Sequence, residues 1–152
     1  MLDVSVSFPD GSDKSLSFSD LVKQSNYTIL YFYPKDNTSG CTIEAKDFSG
    51  LVDRFSSYDV QIVGVSKDSH KSHCGFMDKH GLLFPLISDP EWLLHNQFGA
   101  VGEKSLYGKT YTGTIRSTFI LDTNGDILHQ RTKVRVKGHV QEVLDYVVQH
   151  LA

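Results

Sequence analysis

The segment Tyr27-Thr28-Ile29-Leu30-Tyr31-Phe32-Tyr33 most restricts what this chain can fold into. It is rich in β-branched and aromatic residues and does not alternate polar with apolar positions. A strand of that kind is buried on both faces and must be covered on both. In a chain of 152 residues the cover has to come from helices, and the remaining periodicity supplies them. Val60-Gln61-Ile62-Val63-Gly64-Val65 reads as a second buried strand. Helical spacing of apolar residues runs over Cys41–Ser57 through Ile43, Ala45, Phe48, Leu51, Val52 and Phe55. It returns over Ser69–His80, closed by Gly81, then from Pro90 to Gly99. The last stretch is Val140–Leu151, where Val140, Val143, Leu144, Val147, Val148 and Leu151 share one face.

The flanking segments complete the pattern. Val4–Phe8 and Ser15–Phe18 alternate around Pro9-Asp10-Gly11, which predicts an N-terminal β-hairpin. Ser19 and Asp20 cap a short helix reaching Gln24. Phe84–Ile87 reads as a short strand, and the Gly-rich segment Val101–Gly113 as a loop or hairpin. Thr118–Leu121 and Asp126–Gln130 flank Asn124-Gly125, a strong hairpin signal. Strands and helices alternate, and a hairpin and a helix close the chain. The expected fold is an α/β sandwich with a mixed central sheet flanked by helices, a thioredoxin-like layout, as one domain over 1–152.

Bulk properties exclude several function classes. A net charge of −3 argues against a dedicated nucleic-acid binder, which usually presents a basic face. No stretch approaches the roughly 18 apolar residues of a membrane helix. Met1-Leu2-Asp3-Val4-Ser5 lacks the basic-then-apolar run of a secretory signal, so a cytoplasmic location is expected. Two cysteines, Cys41 and Cys74, are too few for a disulfide framework. Each is either a small buried hydrophobe or a reactive thiol.

Cys41 stands where a buried strand has ended at Pro34 and a helix is beginning. Unpaired backbone N–H groups and the positive end of the helix dipole collect there, and both favour a thiolate. Gly40 allows close backbone approach. Thr38 offers a hydroxyl for the sulfur or for a substrate oxygen. Pro34, with no N–H, can shield the pocket. The fixed cation such a site needs is Arg116, which precedes a core strand. Taken singly, Arg116 reads as a surface arginine, Thr38 as a turn residue and Pro34 as a strand terminator; the spacing P-x-x-x-T-x-x-C carries the weight.

The run Tyr31-Phe32-Tyr33-Pro34-Lys35-Asp36-Asn37-Thr38-Ser39-Gly40-Cys41-Thr42-Ile43-Glu44-Ala45 resembles the active-site segment of peroxiredoxins, most closely the bacterioferritin comigratory protein, or PrxQ, subfamily. Gly64–Ser69, Phe84–Asp89, Glu103–Lys109 and Arg116–Phe119 are similar to further blocks of that subfamily. The resemblance implies a thiol peroxidase acting on hydrogen peroxide and organic hydroperoxides. Cys41 is then the peroxidatic cysteine, Thr38 and Arg116 hold the thiolate and polarise the peroxide, and Pro34 covers the pocket. Glu44 matches a position often acidic in the subfamily. The resemblance further implies a monomer with no cofactor, and thioredoxin, glutaredoxin or glutathione as reductant.

The sequence departs from that subfamily in its second cysteine. Many members resolve the oxidised cysteine with a partner five residues on, and here that position is Lys46. Others place the partner in the following helix, at a position that aligns with Met77. This chain has Cys74 instead, one helical turn earlier and on the same face as Met77. Gly75 weakens that helix. Either Cys74 resolves Cys41, directly or between molecules, or an external thiol does. His70 and Cys74, four apart, also share a helix face, and the imidazole is then expected to lower the pKa of the thiol. With His73 they form too few ligands for a closed metal site, and no metal is expected. Phe76, Trp92 and Phe119 read as core. A Cys-x-x-Cys oxidoreductase is excluded by Glu44. A peroxide sensor, oxidised once and passing the signal on, is the alternative that the motif alone leaves open.

Overall fold

The computed structural model describes residues 2–151. The chain opens with a hairpin of β1 (Asp3–Ser7) and β2 (Asp13–Ser17), followed by α1 (Phe18–Val22) and β3 (Tyr27–Phe32). Then come α2 (Ser39–Gly50), α3 (Val52–Ser56), β4 (Val60–Ser66), α4 (His70–His80), β5 (Leu86–Ser88) and α5 (Leu93–Phe98). The last elements are β6 (Val101–Leu106), β7 (Lys109–Thr114), β8 (Ser117–Leu121), β9 (Ile127–Arg131) and α6 (His139–His150). Seven strands form one mixed sheet in the order β2-β1-β5-β4-β3-β8-β9, and β6 and β7 form a separate hairpin. Among the described residues no helix is long and apolar enough to cross a membrane.

The unbroken run predicted to be central is central. β3 pairs parallel with β4, Ile29 opposite Ile62, and antiparallel with β8, Ile29 opposite Ile120. Its side chains split between two cores. Ile29 and Tyr31, with Tyr33 just past the strand's end, join Ile62, Leu86 and Ile120 beneath residues of α2, α3, α4 and α6. Leu30 and Phe32 join Val63, Val65, Phe119 and Leu121 on the other face, with residues of α1 and α5. Each fully buried large side chain contributes roughly 1.5–3 kcal/mol, so β3 is the axis of stability as well as of topology.

One close contact fixes where α2 lies. A Cβ at Gly64 would stand 2.8 Å from Leu86 Cδ2 and 3.0 Å from the Tyr31 ring, so only glycine fits there. The Tyr31 ring then stacks on Phe48 of α2 at 4.7 Å between centroids. Gly64 thus seats Tyr31, Tyr31 seats Phe48, and the helix that carries Cys41 is held over β3.

Three helix expectations need correction, while the Asn124-Gly125 hairpin is met with a different turn. The first helix is capped by Ser17 rather than by Ser19 and Asp20, and it ends at Val22. The single helix over Cys41–Ser57 is two, broken at Leu51 (φ −112°, ψ 9°) after Gly50; both short helices bury the same side, which mimics one periodicity. The helix expected from Pro90 begins only at Leu93, because Trp92 is left-handed (φ 62°) and the Asp89 carboxylate receives the N–H groups of Leu94 and His95. Asn124-Gly125 does lie between antiparallel β8 and β9, but only Gly125 has positive φ. The turn is instead organised by Asp122, whose Oδ1 accepts from the N–H groups of Asn124 and Asp126.

Candidate active site

Cys41 is the third residue of α2 and only 1% exposed. First-turn N–H groups of a helix lack helical acceptors. Thr38, at the N-cap, makes no side-chain cap bond to them. Its hydroxyl donates instead to the Lys35 carbonyl at 2.8 Å, bracing the exposed loop before the helix. Pro34, half-buried, begins that loop directly after Tyr33.

Arg116 holds the centre of the site. It sits immediately before β8, and its carbonyl accepts from Val134 N–H, so its backbone is tied on both sides. One arm of the guanidinium, Nη2, donates to Cys41 Sγ at 3.2 Å; the other, Nη1, donates to Glu44 Oε1 at 2.7 Å. A planar fork suits two acceptors at once. Gly40 leaves room for it: a Cβ there would stand 3.4 Å from Nη2. The close approach allowed at Gly40 is therefore taken up by Arg116.

Glu44 is fully buried, one helical turn after Cys41. Burial raises its carboxyl to about 7 against the pull of Arg116, with Asp47 adding to the rise. Its second oxygen, Oε2, is buried with no hydrogen-bond partner among the described residues, which is why desolvation prevails. Burial works against the Arg116 charge, but Glu44 and Cys41 outweigh it and hold the guanidinium above its ordinary value. A second cation belongs to the same field: burial and then repulsion from Arg116 lower the Lys104 ammonium, while Cys41 acts in the opposite direction. Beneath the site, burial pulls the His139 imidazole down to about 4, with its Nε2 2.8 Å from Thr118 Oγ1.

A second network joins the loop before Cys41 to α4. Asp36, 5% exposed, accepts from the Tyr33 hydroxyl at 2.6 Å and from the Ser72 hydroxyl at 2.8 Å. The same Oδ2 lies 2.7 Å from His73 Nδ1, and His73 Nε2 lies 3.0 Å from the Ile87 carbonyl. Asp68 completes the frame, accepting from Asp36 N–H and from the Ser66 hydroxyl. His73 therefore points into the core while His70 and Cys74 face the β1–β2 turn, so the three do not converge. Cys74 is half-buried, and both cysteines are free thiols. Met77, the position at which the resemblance would place a resolving partner, is buried in the core.

Sequence reasoning misses the Asp36 hub and the Lys104 cation. Asp36 lies among polar loop residues, and only the packing of α4 buries it. Lys104 arrives on the β6–β7 hairpin from far along the chain.

The chain is similar to known proteins in sequence and in fold. A model of the AhpC/TSA family matches residues 3–130. The chain is 43% identical over 125 residues to peroxiredoxin Bcp of Xanthomonas campestris pv. campestris, covering 82% of this chain and 78% of that protein. It is 46% identical over 118 residues to peroxiredoxin Bcp of Bacillus subtilis, covering 78% and 75%. The solved structure of X. campestris peroxiredoxin Q superposes with a TM-score of 0.87 at 39% identity, over 99% of this chain and 92% of that one. With a mixed sheet of thioredoxin-like layout and a buried cysteine hydrogen-bonded to an arginine at the first turn of a helix, the chain belongs to the AhpC/TSA family, among the Bcp/PrxQ peroxiredoxins.

Proposed function

We propose that this chain is a thiol peroxidase that reduces hydrogen peroxide and organic hydroperoxides at Cys41. The observation that carries the reading is the Arg116 fork shared between Cys41 Sγ and Glu44. The alkyl peroxide reduction activity of the X. campestris bacterioferritin comigratory protein, 38% identical over 99% of this chain, supports it.

The Cys41 thiolate gives an electron pair to one peroxide oxygen, the O–O bond breaks, and the other oxygen leaves as hydroxide or alkoxide and takes up a proton. Arg116 and the first N–H groups of α2 face the charge that develops on that oxygen. Thr38, at the helix start, turns its hydroxyl from Lys35 O towards the peroxide, and Pro34 keeps water from the pocket. Cys41 is left as a sulfenic acid. Cys74 or an external thiol then resolves it, with thioredoxin, glutaredoxin or glutathione supplying electrons. The chain acts as one domain, as a monomer, in the cytoplasm, in antioxidant defence.

Changing Cys41→Ser tests the reading: peroxide consumption should vanish while the fold, followed by circular dichroism, persists. Retained turnover would sink it. Wild-type chain that consumes one peroxide and no more, with every donor tried, would favour a sensor.

A further inference from the structure

Cys74 has a prepared neighbour. Its Sγ lies 3.4 Å from Nε2 and 3.6 Å from Nδ1 of His70, one turn earlier on α4. The imidazole is fixed from behind: Nδ1 is 2.6 Å from Oγ of Ser7, a fully buried residue at the end of β1. Thiol, imidazole and hydroxyl thus stand as nucleophile, base and orienting group. The sulfur borders a cavity of about 360 Å³ lined by Phe8, Pro9, Gly11, Gly75 and Met77. The segment is also tied to the Cys41 loop, since Asp36 bonds Ser72 and His73, the two residues before Cys74.

We infer that His70 is the base of the resolving step: as Cys74 attacks the sulfenic sulfur of Cys41, His70 takes the thiol proton and passes it to the departing hydroxyl. The Cys74 S–H and Cys41 S–O bonds break, the S–S bond forms, and water leaves. The sulfenic sulfur is reduced and the Cys74 sulfur oxidised, so no further reactant is required. This inference rests on the peroxidase reading. It also explains why a base is needed here. Burial, then Asp13 and Asp10 of the hairpin, push the Cys74 thiol above its ordinary value, and Asp78 of α4 lines the same cavity. With acidic groups on both sides, the thiol keeps its proton until a neighbour removes it. Ser7 acts through His70 as a positioning residue.

The test is rapid-quench mass spectrometry after one equivalent of hydrogen peroxide, which follows the Cys41 sulfenic acid and the Cys41–Cys74 disulfide separately. His70→Ala should leave sulfenic-acid formation within about twofold and slow disulfide formation roughly tenfold or more at pH 7. Added imidazole should restore the rate in proportion to its concentration, which a merely structural role would not allow. Ser7→Ala should slow the same step by a smaller factor. An unchanged disulfide rate in His70→Ala, or a slowed rate that imidazole leaves slow, overturns the inference. Wild-type sulfenic acid that never becomes the Cys41–Cys74 disulfide overturns it too, and leaves the peroxidase reading standing. Absence of any sulfenic acid would instead strike the peroxidase reading itself.

Discussion

Asp36 Oδ2 and His73 Nδ1, 2.7 Å apart, join the loop leading to Cys41 to the helix carrying Cys74. Both residues are buried, and Tyr33 and Ser72 share the carboxylate. Asp36→Ala strands three polar groups and should cost about 3 kcal/mol in urea unfolding. Amide hydrogen exchange should then quicken together in residues 35–41 and 70–75. Acceleration in one segment alone would show that the contact does not couple them.

Arg116→Lys separates charge from geometry. A lysine keeps the cation but has one donor head, so it does not bridge Cys41 Sγ and Glu44 Oε1 as the fork does. The second-order rate constant for peroxide, from stopped-flow measurement, should fall roughly tenfold or more in Arg116→Lys, and about 10²–10³-fold in Arg116→Ala. Equal rates in the lysine variant would mean that positive charge alone suffices.

Glu44 sets a pH dependence of stability. Its folded-state value of about 7 lies above the ordinary 4.5, so the folded chain binds more protons between them. Stability from this group is complete below about 4.5 and is lost as pH rises through about 7. Relative to Glu44→Gln, the wild-type chain should lose about 2–3 kcal/mol across that window. Parallel Tm-against-pH curves for the two proteins would contradict this.

His139 acts at the acid side. Its folded value of about 4 lies below the ordinary 6.5, so the unfolded chain binds the extra proton. Stability from this group is present above about 6.5 and is lost as pH falls through about 4. His139→Gln, able to keep a hydrogen bond to Thr118, should flatten the acid limb of the denaturation profile by about 2–3 kcal/mol. An unchanged acid limb would place the sensitivity elsewhere.

The sheet is legible in the sequence where burial is two-sided, as in β3, or where apolar and polar residues alternate, as in β1. The Leu51 break is not, because two short helices burying one side share the spacing of one long helix. Trp92 is hidden for a related reason: its left-handed backbone follows from Asp89 capping α5, a bond whose partners only the fold brings together. At the site, the residue types around Cys41 are readable from the strand-to-helix junction. The Glu44 ion pair and the Asp36 network are not, since a carboxylate in a polar stretch looks the same whether water or a helix will cover it. The pairing of His70 with Cys74 is half readable: helical spacing brings ring and sulfur together, while Ser7, the group that fixes the ring, lies 63 positions away in the chain.

The burial of Cys41, 1% exposed, also bears on traffic. A small peroxide needs only a gap of molecular size to reach this sulfur. A protein reductant needs the sulfur at the surface. On the proposed reading, oxidant and reductant therefore meet two different shapes of the same molecule. The closed shape keeps the thiolate from large disulfides and alkylating agents, and the sulfur comes within reach of a protein reductant only once it is oxidised and the shape has opened.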